Sequence, residues 1–162
     1  MEKISDHITL REAIKSNTAL RLNINNIPND YQTGNMVAIA INIFEPLRKW
    51  VGGPIRINSF FRSEKLNEAI GGSYKIENGK KIQSSQHCQG RAMDIDDNHG
   101  HKTNAEMFEY IRKTLNYDQM IWEFGNDANP DWVHISYVSK DQNRGRCLRA
   151  ERIDGKTQYR QI

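Results

Sequence analysis

Ser85-Gln86-His87-Cys88-Gln89-Gly90-Arg91-Ala92-Met93-Asp94-Ile95-Asp96 is the stretch on which the reading of this chain turns. His87 and Asp94 stand seven residues apart with Gly90 between them. If the chain turns at Gly90 and then extends, the two side chains converge. Ala92 to Asp96 reads as a strand, with Asp94 and Asp96 on one face and Met93 and Ile95 on the other. An Asp set among apolar residues on a central strand is costly to bury without a partner. A cation would remove that cost.

Two other segments carry side chains that suit such a cation. In Asp131-Trp132-Val133-His134-Ile135-Ser136, strand alternation puts Trp132, His134 and Ser136 on one face, so His134 can serve as a third ligand. Two imidazoles and a carboxylate suit zinc, and catalytic zinc keeps three protein ligands and an open place for water. Such a site also needs a carboxylate to move the water's proton. Asp131, three residues before His134, and Glu123, in Ile121-Trp122-Glu123-Phe124, are the candidates. In Asn58-Ser59-Phe60-Phe61-Arg62-Ser63, Arg62 at a strand-to-helix junction could clamp a substrate carboxylate with its forked donors.

Each residue also has an ordinary reading. A lone strand His is more often a satisfied core residue than a ligand. Arg62 could pair with Glu64 or Glu68, and Glu123 could face outward from its strand. His99 and His101 read as a solvated turn, and Cys88 as a small half-buried filler. Spacing alone establishes only a possible metal site.

The remaining chain supplies a scaffold. Thr9, with Glu12 as capping partner, starts a short helix from Leu10 to Ser16. A loop rich in Asn and Pro, Asn23 to Gln32, precedes a longer helix near Thr33 to Trp50. Met36, Val37, Ala40, Ile41, Phe44 and Leu47 recur there at helical spacing, and Pro46 should kink or divide the run. Ile55 to Phe60 reads as a strand, and Glu64 to Ile70 as a helix capped by Ser63. Asn78-Gly79 marks a hairpin tip or flap within Ser73 to Ser84. A helix over Asn104 to Leu115 and strands over Tyr117 to Phe124 and Trp132 to Val138 follow, with a short hairpin around Asp154-Gly155 in the tail. Helices first and antiparallel strands later predict an α+β fold, a sheet with flanking helices.

The length of 162 residues fits one domain, with a core of about 33–138 and a C-terminal extension over 139–162. The 23 basic and 20 acidic residues are interspersed, which argues against a nucleic-acid stripe; the run Lys140, Arg144, Arg146, Arg149, Arg152 reads as solvated surface. No apolar stretch approaches the roughly 20 residues of a membrane span, and MEKISDHITLREAI lacks a signal-peptide pattern. The expectation is a monomer made in the cytoplasm, with no membrane partner. Cys88 and Cys147 do not make a disulfide framework.

Three motifs in order add a resemblance. Ser85 to Asp94 reads S-x-H-x-x-G-x-A-x-D, Asp131-Trp132-Val133-His134 places a carboxylate three residues before a His, and Gly53 to Ser63 is a Gly-Pro-apolar strand leading to Arg62. Together they resemble the M15 family of zinc D-Ala-D-Ala carboxypeptidases and related phage L-alanyl-D-glutamate endopeptidases, over roughly Met36 to Val138. The resemblance implies a small α+β domain shared with the hedgehog signalling domain. It implies zinc held by His87, Asp94 and His134, and Asp131 as the acid/base in preference to Glu123. Arg62 would bind substrate, with Ser85 beside it or orienting it. The implied substrate is the stem peptide of peptidoglycan, cut as a carboxypeptidase or an endopeptidase, with action at the bacterial wall, possible for a phage enzyme released through a separate pore. Phe60-Phe61 departs from the Gly-Tyr that often precedes the family's Arg. The rival class is a metal-stabilised binding module without turnover.

Overall fold

A computed structural model describes residues 2–162; Met1 lies outside the described residues. The chain forms α1 (Leu10–Ala13), α2 (Asn17–Arg21), α3 (Asp30–Ile39), a π-helical turn (Ala40–Phe44), α4 (Glu45–Val51), β1 (Arg56–Ser59), α5 (Glu64–Ala69), β2 (Tyr74–Glu77) and β3 (Lys80–Gln83). A 3-10 turn (Gln86–Gln89), β4 (Ala92–Asp96), α6 (Asn104–Thr114), β5 (Gln119–Glu123), β6 (Trp132–Ser136), β7 (Arg146–Ile153) and β8 (Lys156–Gln161) follow. The α+β expectation holds: a six-stranded sheet in the order β1-β4-β6-β5-β7-β8 packs against the helices, and β2-β3 is a separate hairpin.

The sheet differs from expectation in one pairing. β5 and β7 run parallel, while the other neighbouring strands are antiparallel. The chain leaves β6, passes over the end of β5 and comes back antiparallel to β6, which makes it parallel to the strand between them. The tail hairpin predicted around Asp154-Gly155 forms, with both residues in the left-handed conformation of a tight two-residue turn. Its first strand extends the main sheet rather than standing apart.

The long helix is divided near Pro46, as its sequence predicts. Pro46 has no N–H to return to the preceding turn, and the backbone widens into a π turn just before it. Gly52 at φ 76° ends α4. The wide turn still buries Ala40, Ile43 and Phe44, and with Met36, Ile39 and Leu47 these pack under the sheet against Met93, Ile95, Val133 and Ile135. One sheet face is thereby sealed by helices, which leaves the other free to form a site. Between the expected first helix and the loop from Asn23 lies a further short helix, α2, capped by Ser16. From within the same loop the buried Asn26 donates to the carbonyls of Ile14 and Phe61 (2.8 and 3.2 Å) and accepts from the Ser63 N–H (2.7 Å).

Candidate metal centre

The His87 segment folds as its sequence suggests. Ser85 caps the 3-10 turn, its Oγ accepting from the His87 N–H at 3.3 Å. Gly90 reverses the chain at φ 70°. A Cβ at Gly90 would collide with the Gln32 carbonyl oxygen and the Met36 side chain, so this position needs glycine for conformation and for space. From α3, Gln32 and Asn35 donate to the carbonyls of Cys88 and Gln89 (2.9 and 2.8 Å), tying the turn to the helix. β4 then pairs in register with β6, Asp94 opposite His134.

One atom from each of His87, Asp94 and His134 lies within 4.8 Å of the others, and all three side chains are largely buried. His87 Nε2 stands 3.3 Å from His134 Nδ1 and 3.4 Å from Asp94 Oδ1, and His134 Nδ1 stands 2.9 Å from Asp94 Oδ1. Ligands at the zinc bond lengths of 2.0–2.2 Å in a tetrahedron are spaced about 3.3–3.6 Å apart. The trio matches that spacing closely, with one edge short. Its chemistry fits as well. His87 Nδ1 lies 2.7 Å from the Phe60 carbonyl, which can only accept, so Nδ1 carries the proton and Nε2 offers a lone pair to the cage.

The charges agree with the geometry. Burial lowers the His87 pKa, against the pull of Asp94, and so favours the neutral imidazole, the form that binds metal. Burial raises the affinity of Asp94 for a proton, but His87 and His134 outweigh it and hold the carboxyl well below its usual range. The other oxygen, Oδ2, accepts from Arg62 Nη2 at 2.8 Å, and Arg62 Nε donates to Ser59 Oγ at 2.8 Å. The Phe60–Arg62 segment thus braces two members of the trio, and Asn26 braces that segment. Asn26 was legible only as a residue of a polar loop, since nothing local marks it as buried.

The trio opens into a cleft of about 820 Å³ lined also by Arg62, Ser85, Gln86, Glu123, Trp132 and Tyr159. Glu123 is 8% exposed. In the β5–β6 register Ile121 faces His134 and Glu123 faces Trp132, so Glu123 shares the face of His134 one pair further along. Burial raises its carboxyl pKa to about 7. Asp131 is not brought into the cleft. It stands in the bend just before β6, and its exposed side chain lines a separate depression with Gly125 and Arg149. Its backbone is tied down, the N–H donating to the Glu123 carbonyl at 2.9 Å. His99 and His101 are exposed, as a solvated turn requires, and Cys88 is buried. The tail strands add Leu148, Thr157 and Tyr159 to the cleft wall, a contribution the sequence alone did not suggest.

No helix among the described residues is long and apolar enough to cross a membrane. A comparison with curated proteins finds no match. A family model described as Peptidase M15 matches residues 6–136, which takes in the whole cage, Arg62, Glu123 and most of the sheet. With four fifths of its length accounted for by that match, the chain belongs to the M15 peptidase family.

Proposed function

We propose that this chain is a zinc-dependent peptidase that hydrolyses an amide bond in the stem peptide of peptidoglycan, with zinc held by His87, Asp94 and His134 and Glu123 as the acid/base. Membership of the peptidase family supports the reaction class. The single observation that carries the assignment of roles is that the trio and a buried carboxyl of raised pKa lie on one face of one cleft.

Zinc in this cage would supply Lewis acidity toward a carbonyl oxygen and acidify a water. The chain's own residues do the rest. Glu123, poised near neutral pH by burial, takes a proton from the attacking water and returns it to the leaving nitrogen. The Phe60 carbonyl keeps His87 in the tautomer that presents Nε2. Arg62 fixes the orientation of Asp94 through one edge of its guanidinium and, lining the cleft, is placed to hold a substrate carboxylate. Ser85 shapes the His87 turn through its cap, and its place in the cleft wall puts it within reach of the peptide.

The test is mass spectrometry of fragments released from a purified stem pentapeptide, with and without chelator. The reading predicts cleavage that stops on chelation and returns with zinc, at the terminal D-alanine bond for a carboxypeptidase or inside the stem for an endopeptidase. An intact peptide after incubation with zinc-loaded protein would refute it.

A further inference from the structure

The cleft has a wall that the family match does not reach. Residues 6–136 match, whereas β7 and β8 span Arg146–Gln161. In the sheet register Glu123 of β5 faces Ala150 of β7, and Ala150 faces Tyr159 of β8. The three residues therefore form one row across three strands, on the face that carries the cage. Neighbouring strands lie about 4.8 Å apart, so Glu123 and Tyr159 are about 10 Å apart at the backbone. The residue between them, Ala150, has only a methyl group and is fully buried, so the larger side chains around it close over that gap. A tyrosine can lean across that gap. Tyr159 lines the same cleft as the trio and Glu123, yet it remains 56% exposed, with no hydrogen-bond partner for its hydroxyl among the described residues. After burial, the charges that raise its phenol pKa are those of Glu123 and Asp94.

We propose that Tyr159, from the C-terminal hairpin, contacts the peptide substrate beside Glu123 and donates its phenol hydrogen bond to a carbonyl oxygen at or next to the scissile amide. The inference rests on the peptidase reading above. It makes residues 146–161 part of the substrate site and not only an extension of the sheet. Thr157, two residues along the same strand face, lines the outer part of that wall. Gln158, between them, points to the other face.

The experiment measures kcat and KM on a soluble stem pentapeptide for the zinc-loaded full chain and for Tyr159→Phe, Tyr159→Ala and Gln158→Ala. Zinc content and melting temperature are measured on the same samples. The expected result is a fall in kcat/KM of about tenfold for Tyr159→Phe, the factor for one lost hydrogen bond. Tyr159→Ala should fall further, and Gln158→Ala should match wild type, with zinc content and melting temperature unchanged in all three. Wild-type kinetics in Tyr159→Phe would overturn the hydroxyl contact, and wild-type kinetics in Tyr159→Ala would overturn any contact, both leaving the peptidase reading intact. A wild-type protein that does not cut the peptide would remove the peptidase reading and this inference with it.

Discussion

Two buried aspartates, each paired with an arginine, lie close to the same turn and have opposite surroundings. Asp118 accepts from Gln86 Nε2 at 2.8 Å and from Arg144 Nε and Nη2 at 2.9 and 2.6 Å, so donors reach both its oxygens. Asp94 has Arg62 on one oxygen, while the other faces two imidazole nitrogens. His87 is already committed as a donor to Phe60, so its Nε2 brings a lone pair to that meeting point, not a proton. A buried carboxylate is therefore not in itself the mark of a metal site. What separates the two is that one neighbour of Asp94, His87, presents a lone pair where every neighbour of Asp118 presents a proton. Asp118 meets donors alone, whereas beside Asp94 a lone pair of His87 faces the same oxygen, an arrangement that a cation between them would satisfy.

Breaking the two sites should have different consequences. Asp94→Ala is expected to abolish stoichiometric zinc binding, read by metal analysis after dialysis, and activity with it. Asp118→Asn should keep zinc and lose stability. Removing one partner of a buried pair costs about 3–5 kcal/mol, and because Arg144 is half exposed and can turn to water, a loss of about 2 kcal/mol in denaturant unfolding is expected. Loss of zinc from Asp118→Asn at full occupancy of folded protein would erase the distinction between the two sites.

A second pair of carboxyls sharpens it. Glu123→Gln should retain zinc and lower kcat by about 10³-fold, within the range for a lost acid/base. Asp131→Asn should change kcat by less than about threefold, because its side chain lies outside the cleft. The reverse ranking would give the proton-transfer role to Asp131.

The last effect concerns pH. In the metal-free protein Glu123 titrates near 7 instead of near 4.5, because burial disfavours its charge. Its folded pKa is the higher, so as pH rises from 4.5 to 7 the unfolded chain releases this proton first and stability falls. Above pH 7 the loss is complete. Chelated Glu123→Gln should therefore gain on chelated wild type across that window, reaching on the order of 2 kcal/mol at pH 8, in urea titrations at several pH values. A gap that does not grow with pH would mean that Glu123 is not charged at a cost.

How much of this was legible in the sequence depends on how local the cause is. β4 spans the predicted Ala92–Asp96 because apolar residues flank the Asp positions and Gly90 punctuates the start. α6 follows from Thr103 and Glu106, which form a reciprocal cap. The trio was legible because its members sit in compact motifs whose spacing survives folding. The place of Glu123 was not, since it depends on the β5–β6 register set through the loop Gly125 to Pro130. Nor was the direction of Asp131, which stands in the bend just before β6, where strand alternation has not yet begun. The parallel β5–β7 pair, the brace from Asn26 and the reach of Tyr159 depend on contacts between distant segments, which no local pattern encodes.

The central claim is that one metal ion sits where β4, β6 and the 3-10 turn meet. Its most direct test is zinc stoichiometry combined with X-ray absorption at the zinc edge on purified protein, wild type beside His87→Ala. The account predicts one zinc per chain with two imidazoles in its shell, and none retained by His87→Ala. A wild-type protein that binds no zinc, or a His87→Ala variant that keeps a full equivalent with an unchanged shell, would contradict it.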